Sequence, residues 1–89
     1  MPKAEISWKR MTDEGVKLQV YVQRVGRDWK FFHREKRYDV WQPVASPPLE
    51  DWMELLDAMQ RLVTRRRYQP DDEKRLRKQI KERYPEADV

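Results

Sequence analysis

The chain has 89 residues, no cysteine and only two glycines, Gly15 and Gly26. That excludes disulfides, thiolate metal sites and a glycine-rich loop able to cradle phosphate. Charged residues make up 40% of it with a net charge of +4, yet apolar periodicity from Ile6 to Val63 and four tryptophans argue against a wholly disordered chain.

The start, Met1-Pro2-Lys3-Ala4-Glu5, lacks the apolar stretch of a secretory signal, and no run approaches membrane-spanning length. With no cysteine, the default expectation is a single small, soluble, cytoplasmic domain with no membrane partner. In chain order, Ile6 and Trp8 alternate with Ser7 and Lys9, and Asp13-Glu14-Gly15 supplies a turn. From Val16 to about Arg24 the period is two: Val16, Leu18, Val20 and Val22 alternate with Lys17, Gln19, Tyr21 and Gln23. Gly26, with Arg27 and Asp28 beside it, provides a tight reversal. A third strand is expected over Trp29 to Arg34, with Trp29 and Phe31 on one face and Phe32 on the other. Glu35-Lys36-Arg37 reads as a polar turn, and a fourth strand over Tyr38, Asp39, Val40 and Trp41 is expected to stop at Pro43. Connections this short favour antiparallel neighbours, hence a β-meander.

Across Pro43 to Pro48 the hydrophobic period changes to about 3.6. Leu49, Trp52, Met53, Leu56, Met59 and Val63 recur at helical spacing, which predicts a first helix over 48–67 with Ser46 as a cap. Tyr68-Gln69-Pro70 breaks it. A second helix is expected over 70–84, with Asp71, Asp72 and Glu73 at its positive end, a narrow Leu76, Ile80, Tyr84 stripe, and a Glu73–Arg77 pair. Residues 85–89 are expected to fray. The fold class is therefore α+β: an antiparallel meander of three or four strands over residues 1–45, then two helices (ββββαα). The first helix is expected to pack on one face of the sheet and the second to be more peripheral.

Residues 1–45 hold ten Lys/Arg against six Asp/Glu; residues 46–89 hold ten against ten. On the first helix Glu50, Asp51, Glu54 and Asp57 precede Arg61, Arg65, Arg66 and Arg67, an order that complements the helix dipole. His33 is the single histidine and has no cysteine or second histidine with which to share a metal. Ser7 and Ser46 have ordinary structural readings. Glu50, Glu54 and Asp57 share a helical face at a spacing that suits paired carboxylates, but a solvated helix looks the same. The expectation is a protein without catalytic residues, metal, cofactor or small-molecule substrate.

What remains is binding. Strand alternation sends Tyr21, Phe32 and Trp41 to the face opposite the buried one, interleaved with Lys9, Lys17, Lys30 and Arg34. Rings offer stacking platforms for unpaired bases, and cations neutralise the passing phosphates. Arg65, Arg66 and Arg67, followed by the cations of the second helix, form a further basic stretch suited to phosphate contact without sequence reading. The order strand-strand-strand-strand-helix is similar to that of single-stranded-DNA-binding transcriptional coactivators and Whirly proteins, a resemblance of element order without a shared motif. The leading expectation is a small basic accessory protein that binds nucleic acid, single-stranded or non-specifically. The alternative is a protein-interaction or self-associating module that uses the same face.

Overall fold

A computed structural model describes residues 6–26, 28–36 and 39–89. Expectations that fall on Met1 to Glu5, Arg27, Arg37 and Tyr38 lie outside the described residues. The chain forms two compact units that divide between Pro47 and Pro48.

The first unit is a four-stranded antiparallel sheet, β1 (Ile6–Met11), β2 (Lys17–Val25), β3 (Asp28–Arg34) and β4 (Gln42–Val44), in the spatial order β1-β2-β3-β4. Two glycines make the tight turns. At the first, Thr12 N–H donates to the Val16 carbonyl (2.8 Å), Gly15 N–H donates to the Thr12 carbonyl (2.9 Å) and the Thr12 hydroxyl accepts from Val16 N–H (3.1 Å). Gly15 adopts φ 83° there, and Gly26 adopts φ 63° between β2 and β3, a region that L side chains enter at a cost. These turns fix the register, in which Ile6 faces Val22 and Val22 faces Phe31. Ile6, Leu18, Val20, Val22 and Phe31 are accordingly buried on one face, as the alternation predicts. Trp8 meets Phe31 edge-on at 6.4 Å between ring centroids.

The fourth strand corrects the sequence reading. It is built from Gln42–Val44 and contains Pro43, the residue expected to stop it. Phe31 pairs with Val44 and Phe32 with Pro43. An edge strand is hydrogen-bonded on one side only, so a missing N–H is tolerated there. Asp39, Val40 and Trp41 belong instead to the connection. Lys36 N–H donates to the Asp39 carboxylate (3.1 Å), Asp39 N–H donates to the Lys36 carbonyl (2.9 Å), and Val40 is 82% exposed rather than buried.

The second unit is a helix pair, α1 (Leu49–Thr64) and α2 (Pro70–Arg83), which pack on each other. Ser46 does not cap α1. It is exposed, and Pro48 stands at the cap position, its carbonyl accepting from the N–H of Asp51 (3.0 Å) and Trp52 (3.3 Å). The buried arc of α1 is Asp51, Trp52, Leu55, Leu56, Ala58 and Met59. Met53, expected in the core, is 37% exposed, and Leu55 is fully buried in its stead. At about 100° per residue, Leu55 lies on the side of Leu56 and Met59 toward which Asp51 and Ala58 also turn, whereas Met53 lies on the far flank.

The first helix also stops earlier than expected. Arg66 takes φ 61°, Arg66 N–H donates to the Val63 carbonyl (2.9 Å) and Arg67 N–H to the Leu62 carbonyl (2.8 Å). This is the paired-bond geometry of a Schellman terminus, with arginine where glycine is usual. On α2, Pro70 occupies the first turn and the Asp72 carboxylate accepts the Gln69 N–H (3.0 Å). Leu76 and Ile80 are fully buried, and the expected Glu73–Arg77 pair is formed at 2.9 Å. Arg83 lies over the Trp52 ring at 5.1 Å, which adds a polar tie between the two helices.

Candidate nucleic-acid interface

The sheet register decides which side chains share the face opposite the buried one. Directly paired residues of antiparallel strands point to the same side, and neighbouring positions point to opposite sides. The face therefore consists of parallel rows about 7 Å apart. One row is Met11 and Lys17; the next is Lys9, Gln19 and Arg34. Ser7, Tyr21, Phe32 and Pro43 form the third, Gln23 with Lys30 the fourth, and Val25 with Asp28 the fifth. Six of the expected residues, Lys9, Lys17, Tyr21, Lys30, Phe32 and Arg34, thus belong to a single surface. Its aromatic row runs between a row holding Lys9 and Arg34 on one side and one holding Lys30 on the other.

Trp41 joins this surface by a different route from the expected one. It precedes β4 rather than lying in it, and the connection brings its ring to 5.6 Å from Tyr21, tilted by 42°. Tyr21 in turn lies 5.8 Å from Phe32, tilted by 45°. Direct cross-strand pairing of Tyr21 with Phe32 accounts for the second contact. The three rings form a continuous half-buried cluster, while Lys9, Lys17 and Lys30 are exposed around it.

Arg34 carries the most specific geometry. Its guanidinium carbon stands 4.2 Å from the centroid of Trp41, and its Nε–H donates to Gln19 Oε1 at 2.6 Å. Gln19 is its direct partner across β2 and β3, so the bond follows from the register. A guanidinium placed over one ring and tied at one nitrogen has reduced rotational freedom. An open depression of about 660 Å³ lies beside it, lined by Ser7, Lys9, Gln19, Tyr21, Arg34 and Trp41 among others. The role of Gln19 was not legible from composition or periodicity. Its signal is positional: once both turns are fixed, Gln19 must face Arg34.

The remaining expected residues, Arg65, Arg66 and Arg67, lie in the helical unit. All three are exposed and form the turn that ends α1. Their backbone groups close the helix, which gives the run a structural task of its own. Elsewhere on the helices Asp57 takes Arg61, Asp72 takes Arg75 at 3.5 Å and Glu73 takes Arg77.

Glu50, Glu54 and Asp57 are exposed on α1, and among the described residues no group of three or more His, Cys, Asp or Glu side chains could hold a metal ion. His33 falls in the row of Trp8, Val20 and Gln42, on the buried side of the sheet. No helix among the described residues is long and apolar enough to cross a membrane. Compared with known proteins, the chain matches no family model, no curated protein and no solved structure.

Proposed function

We propose that the protein is a non-enzymatic, basic accessory protein that binds nucleic acid through the open face of its sheet. The observation that carries this reading is the register, which groups Lys9, Lys17, Lys30 and Arg34 around the Tyr21, Phe32 and Trp41 rings. Lysines at the rim neutralise phosphates without regard to sequence, and the rings offer stacking surfaces to bases that are not paired. Each stacked base contributes about 1–3 kcal/mol, so even two such contacts exceed what exposed ion pairs supply. The preferred form is therefore single-stranded, because duplex bases have their faces occupied. In this reading the protein works in the cytoplasm, and Arg65, Arg66 and Arg67 add phosphate contacts of secondary weight.

The test is a titration of labelled single- and double-stranded oligonucleotides at two salt concentrations. Binding of the single strand at low salt, with quenched tryptophan fluorescence and a steep salt dependence, is the expected result. Absence of binding at low salt overturns the reading. A second reading has one observation in its favour: Met11, 57% exposed, and Val25, 40% exposed, belong to the same face and add apolar area to it. A protein partner or a second copy of the chain would bury them. Sedimentation equilibrium separates the two, since a tight dimer through this face removes the stacking platform.

A further inference from the structure

We infer that Arg34 reads an unpaired guanine, so that the sheet face prefers single strands carrying that base over strands of thymine or adenine alone. The inference rests on the nucleic-acid reading of the face and adds a specificity to it.

Arg34 is the only arginine on this face among the described residues; the other cations there, Lys9, Lys17 and Lys30, are lysines. Lysine is a compact point charge suited to phosphate, whereas a guanidinium is a planar fork whose nitrogens match two acceptors in one plane. The environment of Arg34 restrains that fork. Trp41 holds one face of the guanidinium at 4.2 Å, and Gln19 engages the Nε–H at 2.6 Å. The two terminal nitrogens have no protein partner among the described residues. They are the donors that a bidentate acceptor uses.

Guanine presents such an acceptor pair, O6 and N7, on one edge, and arginine bonded to both is the commonest specific contact to a base. An unpaired guanine held this way lies in the plane of the guanidinium. The aromatic cluster that Tyr21 continues from Trp41 at 5.6 Å lines the same depression as Arg34. The depression beside Arg34, at about 660 Å³, falls within the size range of sites that take small ligands and has Lys9 at its rim for the adjoining phosphate. Phosphate accepts from the same fork, so the test below separates the two ligands, and three lysines on this face already serve phosphate. Adenine and thymine lack two adjacent acceptors on any edge and leave one donor of the fork unmatched, whereas an unpaired cytosine offers O2 and N3 on its pairing edge, so thymine is the base against which guanine is compared. Gln19 acts here as a positioning residue, holding Arg34 at the nitrogen the base does not use.

The test compares a short oligothymidylate with the same strand carrying one central guanine, measured by fluorescence anisotropy at low salt. The expected result is roughly tenfold tighter binding of the guanine-containing strand, within the range of one bidentate base contact. Replacing that guanine by 7-deazaguanine, which lacks the N7 acceptor, is expected to remove most of the gain without any change to the protein. Arg34→Lys keeps the charge and loses the fork, so it is expected to weaken the guanine-containing strand by a larger factor than oligothymidylate, and the guanine preference disappears. Equal affinity of wild-type protein for the two strands overturns the inference and leaves the nucleic-acid reading standing. A loss on Arg34→Lys that is equal for both strands also overturns it, because it marks a phosphate contact. Failure to bind either strand overturns the underlying reading of the face.

Discussion

The sheet and the helix pair are both rich in cations, but they use them in opposite ways. On the helices, three arginines are matched by acids one turn away: Asp57 with Arg61, Asp72 with Arg75, Glu73 with Arg77. Arg83 lies over Trp52, and Arg65 to Arg67 form the turn that closes α1. On the open sheet face, Lys9, Lys17 and Lys30 form no ion pair among the described residues, and Asp28 is the only acid in its rows. The comparison teaches that net charge is a poor guide to a binding surface in so charged a chain. What marks the sheet face is charge placed around a cluster of rings.

Four experiments would break or sharpen that contrast. The largest effect should come from the helix core. Leu55→Ala is expected to cost about 2–5 kcal/mol, read as a lower denaturant midpoint, whereas Met53→Ala on the exposed flank should cost under about 1 kcal/mol. Equal costs would mean that the buried arc of α1 is misassigned. Replacing Lys9, Lys17 and Lys30 together by glutamine should leave stability within about 0.5 kcal/mol and reduce the salt slope of single-strand binding by about 2. Arg75→Gln and Arg77→Gln, on α2, should leave that slope unchanged; a matching fall would erase the distinction between the two units.

Arg66 provides a smaller, independent test of the structural role of the helix cations. A non-glycine residue at φ 61° carries a steric cost that glycine avoids, so Arg66→Gly should raise stability by about 0.5–1 kcal/mol despite the added freedom of the unfolded chain. Destabilisation by that change would show the arginine side chain to matter more than the turn. The smallest effect belongs to Glu73→Gln, expected to cost about 0.2–0.5 kcal/mol and to vanish at high salt, as an i,i+4 pair should.

Much of this molecule is legible in its sequence. The strict alternation of Val16 to Val22, the glycines at 15 and 26, and the helical recurrence after Pro48 give the element order and the buried face of the sheet. They also give six members of the candidate surface, because parity alone assigns a side once the strands are known. The fourth strand is not legible in the same way. Tyr38 to Trp41 alternates as a strand does, and Pro43 resembles a stop; only pairing with β3 on one side makes Pro43 acceptable. Leu55 and Met53 differ by the direction in which α1 turns its buried arc, which helical spacing leaves open over a quarter turn. The end of α1 was hidden because arginine, unlike glycine, gives no sign of a positive φ. Above all, the Arg34–Gln19–Trp41 arrangement depends on a cross-strand register and on a loop path, neither of which is carried by any local pattern.

The central claim is that the sheet face, and not the basic helices, receives nucleic acid. Its most direct test is chemical-shift mapping of the isotope-labelled protein during titration with a short guanine-containing single strand. The account predicts perturbations concentrated at Lys9, Lys17, Gln19, Tyr21, Lys30, Phe32, Arg34 and the Trp41 indole N–H, with the α2 cations little affected. Perturbations confined to Arg65 to Arg67 and the cations of α2, or no perturbation at all, would contradict it.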